Sequence, residues 1–346
     1  MHRSLNAALV GYGYAGRTFH APLLAATPGI ALAAVASGQR ERLAHDYPHA
    51  AVLPLPDLLA RPDIDFVVVA TPNATHFELA RAALNAGKHV VVDKPFTLTV
   101  GEAEELVELA KRLGLILTVF HNRRWDGDFL TLKRLVEGGE LGNMTSFESR
   151  FDRYRPEIRD RWRERNAPGS GTWFDLGPHL VDQALMLFGL PLGIKAELAI
   201  ERPGACTIDR FDVTLRYATL RVVLASSYLA TAPGPRFHAV GTAGSYLRHG
   251  EDSQEHCLRE GRRPGGDDDW GLNPEPGLLI RIIDDCEVSI EIPTERGRYA
   301  SFYRALADAV AGLGPPPVDT ADMVNVMRVL ELAVVSAERG LEVTLA

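Results

Sequence analysis

Residues 7–16 read Ala-Ala-Leu-Val-Gly-Tyr-Gly-Tyr-Ala-Gly, a short apolar run that leads into a glycine-rich turn. The apolar run predicts a buried strand, and Gly11, Gly13 and Gly16 have the GxGxxG spacing of a dinucleotide-binding loop. In such a loop the first glycine permits a tight turn, the second lets the backbone approach a pyrophosphate, and the third lets a helix pack closely on the strand. The stretch therefore predicts a Rossmann fold for NAD or NADP, in which the cofactor contacts Gly11, Tyr12, Gly13, Tyr14, Ala15 and Gly16, with Arg17 near its phosphates.

The chain after this loop alternates between short apolar segments and helical segments up to Asn122. Capping-box spacing at Thr75–Glu78 and at Thr99–Glu102 predicts two of the helix starts. Alternation of this kind is typical of a doubly wound parallel sheet that is covered on both faces. We therefore assign residues 1–122 to a dinucleotide-binding Rossmann domain, with predicted strands at 7–10, 30–36, 51–53, 66–70, 89–92 and 115–120.

Residues 123–346 have a different texture, because several segments alternate apolar and polar residues between tight turns. This pattern predicts a second, substrate-binding α+β domain on a large open, mostly antiparallel sheet, so the whole chain is an α/β protein. Its predicted strands lie at 144–150, 195–200, 211–217, 220–229, 238–240 and 288–292. Two helices are predicted at the end of the chain, at 299–311 and 321–337, and they can pack against the first domain. Residues 251–276 are rich in Gly, Pro and Asp, which predicts a long surface loop.

The end of the second predicted strand discriminates between NAD and NADP. An NAD site carries an Asp or Glu about 20 residues after the glycine loop, but residues 36–40 read Ala-Ser-Gly-Gln-Arg here. Ser37 and Arg40 can bind a 2′-phosphate, whose geometry suits a guanidinium. This favours NADP, and NAD stays possible if Arg40 is only a solvated helix residue.

Composition narrows the class of protein. The 346 residues include 37 Lys and Arg against 45 Asp and Glu, a net charge of −8 that argues against nucleic-acid or anionic-membrane binding. The three cysteines have neither disulfide nor metal spacing, and no run approaches about 18 apolar residues. We expect a cytoplasmic protein that acts on a small molecule without a bound metal and with no nucleic-acid or membrane partner.

Three polar clusters follow predicted strands, where ligands collect in doubly wound sheets. Lys94 is the most informative of these residues, because it follows four strand residues and precedes a proline. Its amine can contact a substrate hydroxyl and the nicotinamide ribose, and an ordinary surface lysine is the alternative. The clusters are Thr71-Pro72-Asn73 with His76, Asp93-Lys94-Pro95, and His121-Asn122-Arg123-Arg124.

A further candidate pair lies in the second domain, where Asp175 and His179 are four residues apart. Pro178 predicts the first turn of a helix, so that both side chains share one face at its start. A carboxylate can orient an imidazole for proton transfer near neutral pH. The alternative is a capping aspartate with a structurally bonded histidine, and a zinc site lacks a third ligand at any telling spacing.

These motifs together resemble the Gfo/Idh/MocA family of NAD(P)-dependent oxidoreductases along essentially the whole chain. The resemblance rests on the glycine loop, on the Thr71 and Asp93 clusters and on Asp175-x-Gly177-x-His179. Finer motifs at residues 11–24, 120–126 and 151–156 are similar to the branch that holds NADP-dependent scyllo-inositol dehydrogenases.

The resemblance implies roles for individual residues. Lys94 corresponds to the lysine of the family's Glu-Lys-Pro motif, with Asp93 in place of the commoner glutamate, and His179 to the proton-transfer residue, with Asp175 beside it. The open sheet would form subunit contacts in a homodimer or homotetramer. The remaining cofactor residues are expected to be Thr71, Pro72, Asn73, His76, Lys94, Pro95, Asn122, Trp162 and Arg163. The substrate residues are expected to be Lys94, His121, Asn122, Arg124, Tyr154, Arg155, Asp175 and His179.

The leading hypothesis is therefore an NADP-dependent dehydrogenase or reductase that acts on a secondary hydroxyl or ketone of a cyclic polyol or sugar-like substrate. Two alternatives remain at this point. One is a catalytically silent sensor that binds NADP with the same fold. The other is a reductase of a non-carbohydrate carbonyl, an imine or a dihydrodiol.

Overall fold

The structure is a computed structural model that describes residues 3–266 and 268–345. The chain divides into two compact units. The first contains the chain up to Asn122 together with Gln254–Trp270 and Arg298–Val324. The second contains Arg123–Ser253, Gly271–Gly297 and the chain from Asn325 onward.

The first unit is built on a six-stranded parallel sheet with the strand order β3-β2-β1-β4-β5-β6. This is the doubly wound order in which the direction of winding reverses between β1 and β4. The neighbouring strands β4 and β5 contain valine runs, residues 67–69 and 90–92, that are fully buried, as expected for a sheet that is covered on both faces. The strands are β1 (Leu5–Val10), β2 (Ile30–Ala36), β3 (Ala51–Val52), β4 (Phe66–Val69), β5 (His89–Val92) and β6 (Leu117–Val119).

Helices connect these strands. They are α1 (Ala21–Ala26), which continues a π-helical turn at Gly16–His20, α2 (Arg40–Asp46), α3 (Leu55–Ala60), α4 (His76–Asn85) and α5 (Val100–Leu113). The predicted cap of α5 is confirmed, since Thr99 accepts a hydrogen bond from the Glu102 amide at 3.2 Å. The predicted cap of α4 is wrong. A 3-10 turn precedes that helix, so Thr75 has helical dihedrals and its hydroxyl donates to the Pro72 carbonyl instead.

The second unit is built on a nine-stranded, mostly antiparallel sheet with the order β14-β13-β12-β11-β7-β10-β9-β8-β15. Only β7 and β10 pair in parallel within it. Together with the parallel sheet of the first unit, this confirms the predicted fold class. The strands are β7 (Met144–Arg150), β8 (Gly193–Ala199), β9 (Arg210–Arg216), β10 (Arg221–Ser227), β11 (Phe237–Gly241), β12 (Gly244–Arg248), β13 (Gly277–Ile283), β14 (Cys286–Ile292) and β15 (Val343–Thr344).

Two helices of this unit are α6 (Gly127–Glu137), which precedes β7, and α7 (Gly171–Phe188), which lies between β7 and β8 in the chain. Helix α7 begins seven residues before Pro178, so the prediction that Pro178 lies in the first turn is wrong. The proline has no N–H for the carbonyl of Phe174, and the helix continues through the lost bond. The packing of this segment requires a glycine at position 177, because any side chain there would collide with the indole of Trp173, with its Cβ 2.6 Å from Cε3.

The prediction of a long surface loop at residues 251–276 is also wrong. Helix α8 (Gln254–Arg259) forms inside it, and Cys257, Leu258 and Trp270 are buried. The Gln254 side chain accepts a hydrogen bond of 2.7 Å from the Tyr299 amide, next to α9 (Ala300–Val310). The buried residues are too few and too irregularly spaced to produce a helical period. The last helix is α10 (Thr320–Arg339).

Two glycine-to-alanine substitutions in helices should have opposite effects on stability. Gly177→Ala forces a methyl group into the Trp173 ring, and overpacking of this kind costs about 1–3 kcal/mol. Gly101→Ala is the matched control, because Gly101 lies on the exposed side of α5 with no described atom within 4 Å of an added Cβ. It should stabilise by roughly 0.5–1 kcal/mol through helix propensity. Urea unfolding of both variants measures the two effects, and equal shifts would contradict the packing role of Gly177.

Candidate active site

The ends of four parallel strands are aligned at one edge of the first sheet. Val10 is in register with Val69, Val69 with Val92, and Val92 with Val119. The glycine loop, Thr71, the Asp93–Lys94 segment and His121 therefore leave the sheet at the same level. This is the edge at which ligands bind in doubly wound folds.

The glycine loop has the close contacts that its spacing predicts. Gly11 has φ +99°, and an added Cβ would collide with the carbonyl oxygen of Ala70 at the end of β4. A Cβ on Gly16 would collide with the carbonyl oxygen of Gly11. Gly13 is exposed, and no described atom lies within 4 Å of a Cβ placed there. The loop is thus tight where it packs against protein and open at the glycine expected to face the pyrophosphate, which fits a bound dinucleotide.

Two tyrosines fix this loop in different ways. Tyr12 is 1% exposed, and its hydroxyl donates to Asp46 of α2 at 2.8 Å. Its backbone carbonyl accepts a 2.8 Å hydrogen bond from the Gln39 side chain. Tyr14 is exposed and its hydroxyl donates to Glu255 of α8 at 3.0 Å. The loop is therefore tied to both α2 and α8.

The segment after β2 carries the residues expected at a 2′-phosphate. The Ser37 hydroxyl accepts a 3.2 Å hydrogen bond from the Gln39 amide, which leaves its proton available to a ligand. Arg40 is the first residue of α2 and is exposed. Within the described residues its guanidinium makes no ion pair, so its charge is available to an anion.

His76 has a structural position. Its ring is fully buried, with Nδ1 2.8 Å from the carbonyl oxygen of Pro95 and Nε2 3.0 Å from that of Thr71. Burial lowers the pKa of His76, so the neutral ring can donate to one of these oxygens. In this arrangement the imidazole clamps the segments after β4 and β5 together, and we interpret it as positioning the predicted cofactor residues Thr71 and Pro95.

Asp93 anchors the backbone beside Lys94. Its Oδ1 accepts a 2.9 Å hydrogen bond from the Lys94 amide, and the Nε2 atom of buried His20 lies 3.7 Å away. Burial alone would raise the pKa of Asp93, but His20 and the positive charge of Lys94 lower it to about 2. The carboxylate therefore stays charged at neutral pH and holds the segment that carries Lys94, which is half-buried.

A buried tyrosine completes this group and was missed from the sequence. The Tyr303 hydroxyl lies 2.6 Å from Nδ1 of His20. Burial raises the pKa of Tyr303 well above its usual value, so the phenol is protonated and can donate to His20. Neither residue has a local pattern that marks it, because 283 positions separate the two partners.

In the second unit Asp175 and His179 both lie on α7, one turn apart as predicted. Asp175 Oδ1 is 3.2 Å from Nε of Arg163, whose guanidinium stacks 4.7 Å from the centre of the Trp162 ring. His179 is 6% exposed. Arg163, predicted as a cofactor residue, is thus the charge partner of Asp175 in this structure. Spacing gave no sign of this pair, since Arg163 precedes the helix by eight residues.

Arg124, predicted to bind substrate, is engaged inside the protein. Its guanidinium makes hydrogen bonds of 2.6–3.1 Å to both carboxylate oxygens of Asp182, and both side chains are buried. Asp182 is three residues after His179 on α7. The bidentate pair therefore braces the helix that carries His179, and we no longer assign Arg124 to the substrate. The physical reason is that a buried carboxylate needs a matched partner.

The other predicted residues are placed as follows. Tyr154 is 60% exposed, and Arg155 is half-buried with its guanidinium 5.5 Å from the centre of the Tyr228 ring. His121 and Asn122 follow Phe120 at the end of β6 and are 2% and 4% exposed. In residues 3–266 and 268–345 we find no cluster of three or more potential metal ligands. Nor does this part of the chain contain a helix that is long and apolar enough to cross a membrane.

Comparisons with known proteins agree with the fold and the glycine loop. The model of an oxidoreductase family with an NAD-binding Rossmann fold matches residues 5–121, and that family's C-terminal alpha/beta domain matches residues 133–345. The chain is 48% identical to the uncharacterized oxidoreductase YdgJ of Escherichia coli, over all of both chains. It is 38% identical to the scyllo-inositol 2-dehydrogenase (NADP(+)) IolW of Bacillus subtilis, over 97% of this chain and 94% of the other. The solved structure of YPO2259 from Yersinia pestis has a TM-score of 0.96 and 46% identity, and the match covers 100% of this chain and 98% of the other. The chain therefore belongs to the Gfo/Idh/MocA family of oxidoreductases.

Proposed function

We propose that this oxidoreductase uses NADP and acts on a secondary hydroxyl, or the corresponding ketone, of a cyclic polyol or sugar-like substrate. The observation that carries the proposal is the Asp93–Lys94 segment at the aligned strand ends. A buried charged network positions it there, beside a loop shaped for a dinucleotide. The relative from Bacillus subtilis, an NADP-dependent scyllo-inositol dehydrogenase by name, supports the substrate class.

The preference for NADP rests on Ser37 and Arg40. A hydroxyl and an unpaired guanidinium at the end of β2 suit a 2′-phosphate, and no carboxylate follows β2 before Arg40 to bind a ribose 2′-hydroxyl. Backbone groups at Gly11–Gly16 would hold the pyrophosphate, with Thr71, Pro72, Asn73, Pro95 and Asn122 as further cofactor residues. When it is bound, the nicotinamide supplies the hydride chemistry.

The chain's own residues supply proton transfer and charge stabilisation. Lys94 donates a hydrogen bond to the substrate oxygen and stabilises the negative charge that develops on it. His179 takes the hydroxyl proton in the oxidative direction and returns it in reduction. Asp175, which is paired with Arg163, positions the imidazole of His179 or accepts a hydrogen bond from a neighbouring hydroxyl of the substrate.

Substrate recognition requires directional donors and acceptors, because a polyol presents several hydroxyl groups. We propose His121, Asn122, Tyr154 and Arg155 for this role. The exposed phenol of Tyr154 offers both a donor and an acceptor, and the guanidinium of Arg155 offers only donors. We further propose that the protein works as a homodimer or homotetramer.

Steady-state assays at 340 nm test the proposal directly. Purified protein is incubated with NADP+ or NAD+ and a panel of inositols, sugars and dihydrodiols. We expect reduction of NADP+ with at least one cyclic polyol. Tight NADP+ binding without turnover would instead indicate a sensor, and turnover of dihydrodiols alone would indicate a different substrate class.

His179→Ala should lower kcat by about 10²–10⁴-fold, which is the usual contribution of general acid–base catalysis. The dissociation constant for NADP+ should change little, because His179 is not among the proposed cofactor residues. The control is His249→Ala, an exposed histidine of the same unit, which should retain wild-type kcat. Unchanged turnover in His179→Ala would remove that residue from the mechanism.

Arg40→Ala should weaken NADP+ binding selectively. Loss of a charged hydrogen bond costs about 1.5–3 kcal/mol, or roughly a 10- to 150-fold rise in Kd. The Kd for NAD+ should stay within about twofold, since NAD+ has no 2′-phosphate. Arg112→Ala is the control, because Arg112 is an exposed arginine on a different helix, α5. Titration calorimetry measures both cofactors, and an equal loss for NAD+ would contradict the role of Arg40.

Asp93→Asn should remove a pH-dependent part of the stability. The pKa of Asp93 falls from a usual value of 3.8 to about 2 in the folded protein, which corresponds to about 2 kcal/mol. Because the folded pKa is the lower one, this stabilisation is present above about pH 4 and is lost as the pH falls towards 2. In urea unfolding the gap between the variant and wild type should narrow from pH 7 to pH 3. Exposed Asp308→Asn is the control, and a gap that is independent of pH would contradict the prediction.

A further inference from the structure

The first unit contains a cavity of about 220 Å³ outside the residues assigned above to the 2′-phosphate. An engineered cavity of about 150 Å³ is large enough to hold benzene, so this one can hold a small ligand. Its walls come from three parts of the unit. They are the glycine loop with the helix that follows it, the C-terminal end of α2, and residues 258–263 at and after the end of α8.

The lining is strongly basic. The lining residues include four arginines, Arg17, Arg259, Arg262 and Arg263, and one acidic residue, Asp46. Asp46 is already engaged, because it accepts the Tyr12 hydroxyl at 2.8 Å and lies 2.9 Å from Nδ1 of His45. The cavity therefore has an excess of positive charge.

Most of this charge has no internal partner. Arg262 pairs with Asp269, but Arg17, Arg259 and Arg263 have no carboxylate within 4 Å among the residues that the structure describes. Arg263 instead lies over the Tyr47 ring, with its Cζ 5.3 Å from the ring centre. Several convergent guanidinium groups without carboxylates are the usual surroundings of a phosphate, which has enough acceptor oxygens for all of them.

The cavity is separate from the residues proposed for the 2′-phosphate. Helix α2 contributes Asp46, at its last turn, and Tyr47, whereas Ser37 and Arg40 lie at its start and do not line the cavity. At 1.5 Å of rise per residue, Arg40 and Asp46 are about 9 Å apart along the helix axis. A phosphate on Arg259 and Arg263 would thus occupy a different position from the one that Arg40 offers.

We propose that this cavity binds the phosphate group of a small ligand, either inorganic phosphate or a phosphomonoester, at a position different from the one that Ser37 and Arg40 offer to the 2′-phosphate of NADP. The end of α8 and the segment after it give the site three of its four arginines, which assigns a role to a stretch that the glycine-loop motif does not explain. Through Arg17, directly after Gly16, the ligand contacts the helix that begins at the cofactor loop.

Titration calorimetry with inorganic phosphate, in a phosphate-free buffer, tests the site on the full chain. Wild type should bind phosphate both without cofactor and when saturated with NADP+. The double variant Arg259→Gln/Arg263→Gln should weaken phosphate binding at least tenfold. If this double variant does not fold, Arg17→Gln replaces it in the test and should also weaken phosphate binding. Arg112→Gln, an exposed arginine on α5, should bind phosphate as wild type does.

Three results would overturn the proposal. The first is the absence of phosphate binding to wild type in the millimolar range. The second is equal affinity in wild type and the arginine variants, which would indicate non-specific attraction only. The third is the loss of phosphate binding when NADP+ saturates the protein, which would indicate that the cofactor's own 2′-phosphate fills the cavity. A phosphomonoester titrated in parallel distinguishes the two ligand sources by its relative affinity.

Discussion

The first unit depends on one close approach of the backbone to itself. After β1 the chain turns at Gly11 so near to the end of β4 that a side chain would strike the Ala70 carbonyl, and it returns past Gly11 at Gly16. This double contact sets where the following helix begins and leaves Gly13 exposed. Strand register then places Thr71, Asp93 and His121 at the same edge of the sheet. The proposed cofactor site follows from that edge.

Several charged side chains support the residues of the proposed site, in a chain whose net charge is −8. Asp93 uses its charge to hold the Lys94 backbone, Arg163 neutralises Asp175, and Arg124 forms a bidentate pair with Asp182 behind His179. In each case a buried or half-buried charged side chain supports a residue of the proposed chemistry. Four exposed arginines, Arg40, Arg17, Arg259 and Arg263, have no carboxylate partner among the described residues and are available to anions.

Local sequence patterns predicted the fold well and the supporting residues poorly. The valine runs, the glycine spacing and the Thr99 cap are determined by residues close together in the chain, and the structure confirms them. The partnership of His20 with Tyr303 joins positions 283 residues apart, so no local period reports it. Pro178 misled the prediction of where α7 begins, because the helix continues through the proline despite the lost backbone hydrogen bond. The prediction of a long surface loop at 251–276 was wrong for a related reason, since the buried side chains of this segment are few and irregularly spaced.

The most direct test of the account follows the hydrogen atom itself. The protein is incubated with NADPH that carries deuterium at the transferable position of nicotinamide C4, together with the ketone of a cyclic polyol, and the product is analysed by mass spectrometry. The account predicts one deuterium on the new carbinol carbon for each NADPH consumed. Consumption of NADPH without deuterium in the product, or no reaction with any polyol ketone while NADPH is bound, would contradict it.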